Sequence, residues 1–480
     1  MTQADFYVLL PLIILASWTV VLLLVDLFIP KGRKWITATL AGFGLALALG
    51  FALSQLGDNG SAFNNMVVLD GFSVFVNALI LSTGLLGVAF SYDYIKRMGI
   101  ERGEYYTLML FSIVGMMLLA HANDLIIVFL GIELLSLPLY VLAAFAIPKV
   151  ESEEAGFKYF LLGAFSSGFV LYGIALVYGA VGSTSLNALL TAEIDGDTSM
   201  LLVIGAALIL VGLGFKISVV PFHMWTPDVY QGAPTAVTAF MAAGVKTAGF
   251  AALLRIFTTA FSSLSADLTP ILWALSMLTM ILGNLIAISQ TDIKRMLAYS
   301  SISHVGYILM AFVPYGDSQV VSVSIAAGLF YLVAYTITNF GAWGVVMMVE
   351  QKEGSGLAIS DYAGLGRKYP LLAASMAVFM LSLIGFPPTL GLLGKFYLFR
   401  AVLSGGYVAL AIIGVVTSLI SAYYYLRVVV TMYMDDGQPK VEREFWVGLT
   451  TFGTALATVL FSLMPSSLFA WASEAVLKLF

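Results

Sequence analysis

Two lysines, Lys216 and Lys246, stand in an otherwise apolar stretch from Val211 to Phe250, and Pro221 interrupts the first of its two helix-like runs. In a bilayer each of these residues is costly. A lysine at the centre costs roughly 2.5 to 3.5 kcal/mol on insertion scales, so one that persists faces a cavity or a partner rather than lipid. Proline removes a helical hydrogen bond and frees backbone carbonyls that then need partners. The chemistry open to such groups is taking up and releasing a proton. Release near neutral pH requires the lysine pKa to fall by about 3, on the order of 4 to 5 kcal/mol. Burial supplies that fall and a nearby carboxylate opposes it, so a lysine whose carboxylate partner can move is a two-position proton switch. A broken helix carrying an ionisable group points to an ion pathway.

Glu133, in LIIVFLGIELLSLPLY, is the one carboxylate of its apolar run. At 1.5 Å per residue it lies about 12 Å into the span. It is expected either to tune Lys216 or to fix two helices together as a buried ion pair. A second broken run, LIGFPPTLGLLGKF, contains Pro387 and Pro388, with Lys395 beyond them. Lys395 is then the terminal candidate, its alternative being a helix-end lysine that reaches the headgroups. Lys158, one turn inside its span, reads as an accessory site or as an ordinary interfacial lysine. His304 in SSISHVGY has serines and Tyr307 beside it, hydroxyls suited to a proton shuttle, and His223 sits directly at the first break, in PFHMW. Hydrogen-bonded packing is the alternative for both. His121 and Asp124 fall in a short connection and are expected to be solvated. QTDIKRMLAYSS, from Gln290, reads as a loop leading into a span, and Arg427 as a snorkelling arginine.

Composition limits what else the chain can do. It has 480 residues, 60% hydrophobic and only 10% charged, far from the roughly one quarter charged that soluble domains carry. This is the composition of an integral membrane protein. No cysteine is present and there are three histidines, which excludes thiolate-held iron–sulfur clusters, cysteine zinc sites and disulfides, and argues against bis-histidine haem. No metal site or cofactor site is expected in this chain, so any electron transfer belongs to another one. A net charge of −5 argues against a nucleic acid partner. The N-terminus lacks a basic region and a small-residue cleavage site, and its apolar run is expected to be a retained span.

By the ruler of about twenty apolar residues per crossing, an all-α protein of about 14 transmembrane helices is expected. The segments begin near Tyr7, Trp35, Phe72, Tyr105, Leu125, Ala155, Met200, Pro234, Thr269, Tyr299, Val320, Leu371, Tyr407 and Trp446. Connections after the odd-numbered spans hold Lys31, Arg33, Lys34, Lys96, Arg97, Arg102, Lys149, Lys294, Arg295, Lys352, Arg367, Lys368, Lys440 and Arg443, whereas the other side has little beyond Arg255, Arg400 and Lys478. The positive-inside rule then places both termini outside the cytoplasm. The seventh and twelfth spans are the broken ones and must cross in opposite directions. That is the signature of an inverted repeat, spans four to eight against nine to thirteen. The expected division is residues 1–104 for helices one to three, 105–260 and 261–434 for the two five-helix units, and 435–480 for the last helix.

At these residues the chain resembles the subunit N family of bacterial NADH:quinone oxidoreductase, respiratory complex I. The resemblance is carried by KISVVPFHMWTPDVYQGAPTAVTAF, GIELLSLPLYVLAAF, DIKRMLAYSSISHVGYILM and GFPPTLGLLGKFYLF, in that family's helices and spread across nearly the whole chain. The more distant Mrp cation/proton antiporter subunits share the broken helices and the Glu/Lys pair but usually lack the DVYxGAP wording, and an Mrp-type subunit is the alternative. The resemblance implies a fourteen-helix fold with two inverted five-helix units and two proton half-channels. It implies Glu133 and Lys216 as a coupled pair, Lys246 as the central site, Lys395 as the distal one, and His304 and Lys158 as connecting and accessory residues. It also implies a bacterial inner membrane, an adjacent antiporter-like subunit and small membrane subunits as partners, and NADH, FMN, iron–sulfur clusters and quinone held by other subunits. The long lateral helix of neighbouring subunits is not expected after a chain end at Phe480.

Overall fold

The computed structural model describes residues 3–192 and 197–477, so Lys478 lies outside the described residues. Eleven helices among the described residues are long and apolar enough to cross a membrane. They sort into an inner and an outer set. Thr235–Thr259 is wholly buried, and Val321–Val349, Glu104–His121 and Gly71–Arg97 are largely so. Val150–Val181, Trp35–Ser54, Val408–Met434 and Phe445–Leu463 bury only 33 to 39% of their apolar windows. The outer helices turn residues such as Phe157, Phe165, Leu419 and Leu456 outward, a surface suited to lipid or to neighbouring subunits.

The other three expected segments are helical but shorter or more polar. Leu10–Asp26 has 17 residues. Ile293–Met310 has 18, with Lys294, Arg295 and His304 among them. The twelfth is divided into Pro370–Ile384 and Leu390–Ser404. The stretch from Gln290 is less of a loop than expected, since Asp292 accepts the Arg295 N–H at 2.9 Å and starts the helix at Ile293. Two features had no counterpart in the expectation. A two-stranded antiparallel ribbon pairs Gly60–Ala62 with Val67–Leu69, and a further helix, Pro465–Leu477, follows the last apolar one. That helix is held by Phe469 stacked on Tyr397 at 4.1 Å and by Trp471 against Phe75 at 4.7 Å.

Helix pairs approach closely where small residues remove the intervening side chain. A Cβ on Gly115 would lie 2.3 Å from the Leu135 backbone nitrogen, and one on Gly283 would lie 2.7 Å from that of Ser303. The interruptions fall at the predicted prolines. Asp197–Ile217 ends before Ser218, which has a left-handed φ of 70°, and the helix resumes at Trp225–Gly232 beyond Pro221. Pro370–Ile384 ends at Gly385, φ 91°, and Leu390–Ser404 begins after Pro387 and Pro388.

His121 and Asp124 are buried rather than solvated. Their connection is three residues long and the ribbon covers it. His121 bonds Asn77 at 2.8 Å and the Val68 carbonyl at 2.7 Å, while Asp124 accepts the Ile126 N–H and the Thr184 hydroxyl, each at 2.8 Å. Arg255, expected among the few basic residues of its side, is likewise buried, donating to Asp70 at 2.8 and 3.0 Å and to the Ala120 carbonyl at 2.9 Å. Burial works against the Asp70 carboxylate, but Arg255 and Ser73 hold its pKa below the usual range. Asp70→Asn leaves the guanidinium buried and unpaired and is expected to cost about 3 to 5 kcal/mol, read as a lower unfolding temperature of the detergent-solubilised protein.

Candidate functional site

Lys246 follows directly on a π-helical turn, Met241–Val245, within the fully buried Thr235–Thr259 segment. Such turns widen a helix locally and recur at functional positions. The Lys246 ammonium, 1% exposed, donates to the Ser301 carbonyl at 2.9 Å and to the Ser301 hydroxyl. That hydroxyl also pairs with the Tyr335 hydroxyl at 2.6 Å.

One turn beyond Ser301, His304 is ringed by Tyr307, Tyr331, Tyr335 and Tyr425, with ring centroids between 5.3 and 6.5 Å from its own. Its Nδ1 pairs with the Tyr331 hydroxyl at 2.7 Å and its Nε2 with the Tyr425 hydroxyl at 3.0 Å. Tyr425 in turn bonds Ser300. Tyr307 then presents its ring face to Lys395, whose Nζ lies 4.5 Å from the centroid.

The second break holds Lys395 itself. Its ammonium donates to the Leu383 and Ile384 carbonyls, each at 2.9 Å, and to the Ser418 hydroxyl at 2.7 Å. These carbonyls are orphaned where the helix stops, and the negative end of a helix dipole favours a cation there. Lys395 is therefore buried rather than snorkelling, and a side chain on Gly385 would meet its stem at 3.0 Å. Hydroxyl and imidazole groups at these distances can pass a proton by exchanging donor and acceptor roles.

Lys216 is held differently. It is buried against aromatic faces, 5.7 Å from the Tyr140 centroid and 5.3 Å from that of Tyr159, and the hydroxyls of both tyrosines are buried without a partner among the described residues. Glu133, half-buried, accepts a hydrogen bond from Ser167. No ion pair within 4 Å joins Glu133 to Lys216 among the described residues. Between Lys216 and Lys246 stands an aromatic file: Tyr159 stacked on Trp225 at 4.6 Å, Trp225 edge-on to Tyr230 at 5.9 Å, and Tyr230 under Lys246 at 5.9 Å. The Trp225 indole N–H ties this file to the Phe215 carbonyl across the first break, at 2.9 Å.

Lys158 stands apart from these buried groups. It is partly exposed, pairing with Glu154 at 2.7 Å and Asp228 at 2.8 Å, and Asp228 also takes Arg295 at 2.8 Å. His223 is partly exposed at the first break, and its Nδ1 has no partner among the described residues. Arg427, expected to snorkel, caps the end of Ser265–Ser289 through the Ile288 and Gln290 carbonyls at 3.0 and 2.5 Å. The serines and Tyr307 beside His304 were expected, whereas Tyr331, Tyr335, Tyr425 and Ser418 escaped the reading of the sequence. The only trace there is the spacing of Tyr331 and Tyr335, one turn apart on one helix face.

The profile of the family described as "NADH:quinone oxidoreductase/Mrp antiporter, TM" matches residues 122–421, the stretch that contains Glu133, Lys158, Lys216, His223, Lys246, His304 and Lys395. NADH-quinone oxidoreductase subunit N of Trichlorobacter lovleyi is 46% identical over 98% of this chain and 96% of that protein. A chain of respiratory complex I from Thermus thermophilus with bound aureothin superposes with a TM-score of 0.82 at 35% identity, covering 96% of this chain and 98% of that one. A chain of the Mrp complex from Dietzia superposes at 0.85 over 99% of this chain and 97% of that one, but at 22% identity, a likeness of fold alone. This chain belongs to the NADH:quinone oxidoreductase/Mrp antiporter family of transmembrane proteins and, within it, to the subunit N group.

Proposed function

We propose that this chain is a proton-translocating membrane subunit of an NADH:quinone oxidoreductase, respiratory complex I. The observation that carries it is the hydrogen-bonded and ring contact run from Lys246 through Ser301, Tyr335, His304 and Tyr307 to Lys395, in a chain similar to subunit N proteins over nearly its whole length. NADH oxidation, FMN, iron–sulfur clusters and quinone reduction belong to partner subunits, and their free energy reaches this chain through buried charge. A proton enters to Lys216 from the cytoplasmic side, passes to Lys246 and leaves by Lys395. The gap between Glu133 and Lys216 is the open position of a pair that closes and parts to set the affinity of Lys216. Lys158, with Asp228 and Arg295, and His223 at the break serve as accessory groups at the first half-channel.

The same reading takes fourteen spans in a bacterial inner membrane, with both termini periplasmic and with an adjacent antiporter-like subunit and small membrane subunits as neighbours. It takes residues 105–260 and 261–434 as inverted five-helix units. Supporting this, Asp124 and Asp292 each cap a helix and each form an isolated bridge to a later connection, at Ser185 and Ala358. The close approaches at Gly115 and Leu135 recur at Gly283 and Ser303 in the same register.

Lys216→Ala, in membranes where assembly of the complex is verified on a native gel, is expected to depress NADH-driven proton pumping by at least several-fold. Unchanged pumping defeats the reading. An Mrp-type antiporter subunit is distinguished by what co-purifies: flavin and iron–sulfur subunits accompany the chain only in the first case.

A further inference from the structure

At the end of the molecule where Lys149, Lys294 and Lys352 gather, a cavity of about 800 Å³ opens between the helix connections. By the positive-inside rule this end is cytoplasmic. Glu350 lines the cavity and is nevertheless only 2% exposed. Its Oε2 accepts the Thr235 hydroxyl at 2.7 Å and the Tyr94 hydroxyl at 3.1 Å, and Oε1 takes part in neither bond. The nearby cations are engaged elsewhere. Lys294 donates to the Ala233 carbonyl at 2.8 Å. Arg97 donates to Glu444 at 2.7 Å and to the backbone carbonyls of Met347 and Glu350 at 2.7 and 2.5 Å. Among the described residues no ion pair within 4 Å neutralises the Glu350 carboxylate. A buried carboxylate without a cation is costly and marks a position held for something other than packing.

Glu350 ends the Val321–Val349 helix, and from it one face of that helix leads inward. Tyr335, Asn339, Trp343 and Glu350 follow at intervals of one, one and about two turns, a rise of about 22 Å in all. Asn339 Nδ2 and Trp343 Nε1 are both buried and without a hydrogen-bond partner among the described residues. Buried donors of this kind are satisfied by ordered water. The line ends on Tyr335, whose hydroxyl bonds Ser301, and Ser301 holds Lys246. Tyr230 flanks it, edge-on to Trp343 at 6.3 Å and under the Lys246 ammonium at 5.9 Å.

We propose that Glu350 is a proton-loading carboxylate which takes protons from this cavity and delivers them to Lys246 along the Trp343–Asn339–Tyr335 face, a cytoplasmic entrance separate from Lys216. The inference rests on the proton-translocating reading above. The carboxylate takes a proton from cavity water and becomes the neutral acid. It then returns the proton to water hydrogen-bonded at Trp343 and Asn339, and the neutral Lys246 amine receives it and becomes the ammonium.

The competing role is a lock, because Tyr94 also accepts the Thr235 N–H at 3.0 Å and so ties three helices together at Glu350. Glu350→Gln keeps an oxygen for both hydroxyls but cannot take up a proton, whereas Glu350→Asp can. In the assembled complex, NADH-driven acidification of inverted vesicles is expected to fall at least several-fold in Glu350→Gln, to recover to more than half in Glu350→Asp, and to drop less in Trp343→Phe. Normal pumping by Glu350→Gln, or equal loss in the Gln and Asp variants at normal assembly, overturns the proposal. Because this chain has no cysteine, Asn339→Cys supplies an independent readout. A small cationic methanethiosulfonate added on the cytoplasmic side is expected to add its mass to this chain, and a thiol that stays unmodified overturns the water-lined face even where Glu350→Gln fails to assemble. If Lys216→Ala stops pumping while Glu350→Gln pumps normally, the entrance is wrong and the translocating role stands; if both pump normally, both are wrong.

Discussion

Lys246→Ala is expected to stop NADH-driven proton transfer through this chain while leaving the fold in place. The amine is buried and its hydrogen bonds go to Ser301. Removing it strands nothing, since the Ser301 hydroxyl keeps Tyr335 at 2.6 Å. The cavity left by the lysine stem costs about 2 kcal/mol, partly offset because a buried amine no longer has to be desolvated. Transfer suffers far more. A proton crossing this position would be an unpaired charge in apolar surroundings, at least about 2.5 kcal/mol on insertion scales, which slows the step on the order of 50-fold or more. Lys246→Arg separates charge from titration, because a guanidinium keeps its proton at any working pH. Both variants are expected to pump at the background level set by the other subunits, in vesicles with wild-type amounts of assembled complex. An arginine variant that pumps like the parent removes Lys246 from the path.

What the sequence disclosed divides along a physical line. Pro221, Pro387 and Pro388 mark the places where helices stop, because proline acts on its own backbone whatever surrounds it. Lys216, Lys246 and Lys395 stand out because a charge in an apolar run is expensive before any tertiary contact is known. Of the groups that join them, His304 with its neighbouring serines and Tyr307 could be read, and the tyrosines of the other helices could not. Tyr331, Tyr335 and Tyr425 are unremarkable in a membrane helix, where tyrosine reads as packing or as an interfacial anchor. Only the rotation of three helices against each other turns the Tyr331 and Tyr425 hydroxyls towards His304 and the Tyr335 hydroxyl towards Ser301. His121 failed for the complementary reason: the residues that bury it, Asn77 and Val68, are distant in the chain. Glu350, at the head of the polar EQKEG turn, looks solvated until Tyr94 and Thr235 close over it.

His304→Asn and His304→Leu together test whether the link between Lys246 and Lys395 carries protons or merely packs. In neutral histidine one ring nitrogen donates and the other accepts, so Tyr331 and Tyr425 meet it in opposite roles. Passing a proton reverses both. Asparagine offers a donor and an acceptor but cannot titrate, and leucine offers neither. Loss of a positioned acid–base group slows proton transfer on the order of 100-fold, so both variants are expected to lose most of the pumping assigned to this chain. Their stabilities should differ. Leucine leaves the Tyr331 hydroxyl buried without its partner, a cost of about 1 to 3 kcal/mol, whereas Tyr425 keeps Ser300 and asparagine spares part of the cost. The expected pattern is a pumping loss shared by both substitutions and a lowered unfolding temperature chiefly for leucine. A packing role gives the reverse: asparagine pumps as the parent does, and any loss in the leucine variant follows the amount of folded complex.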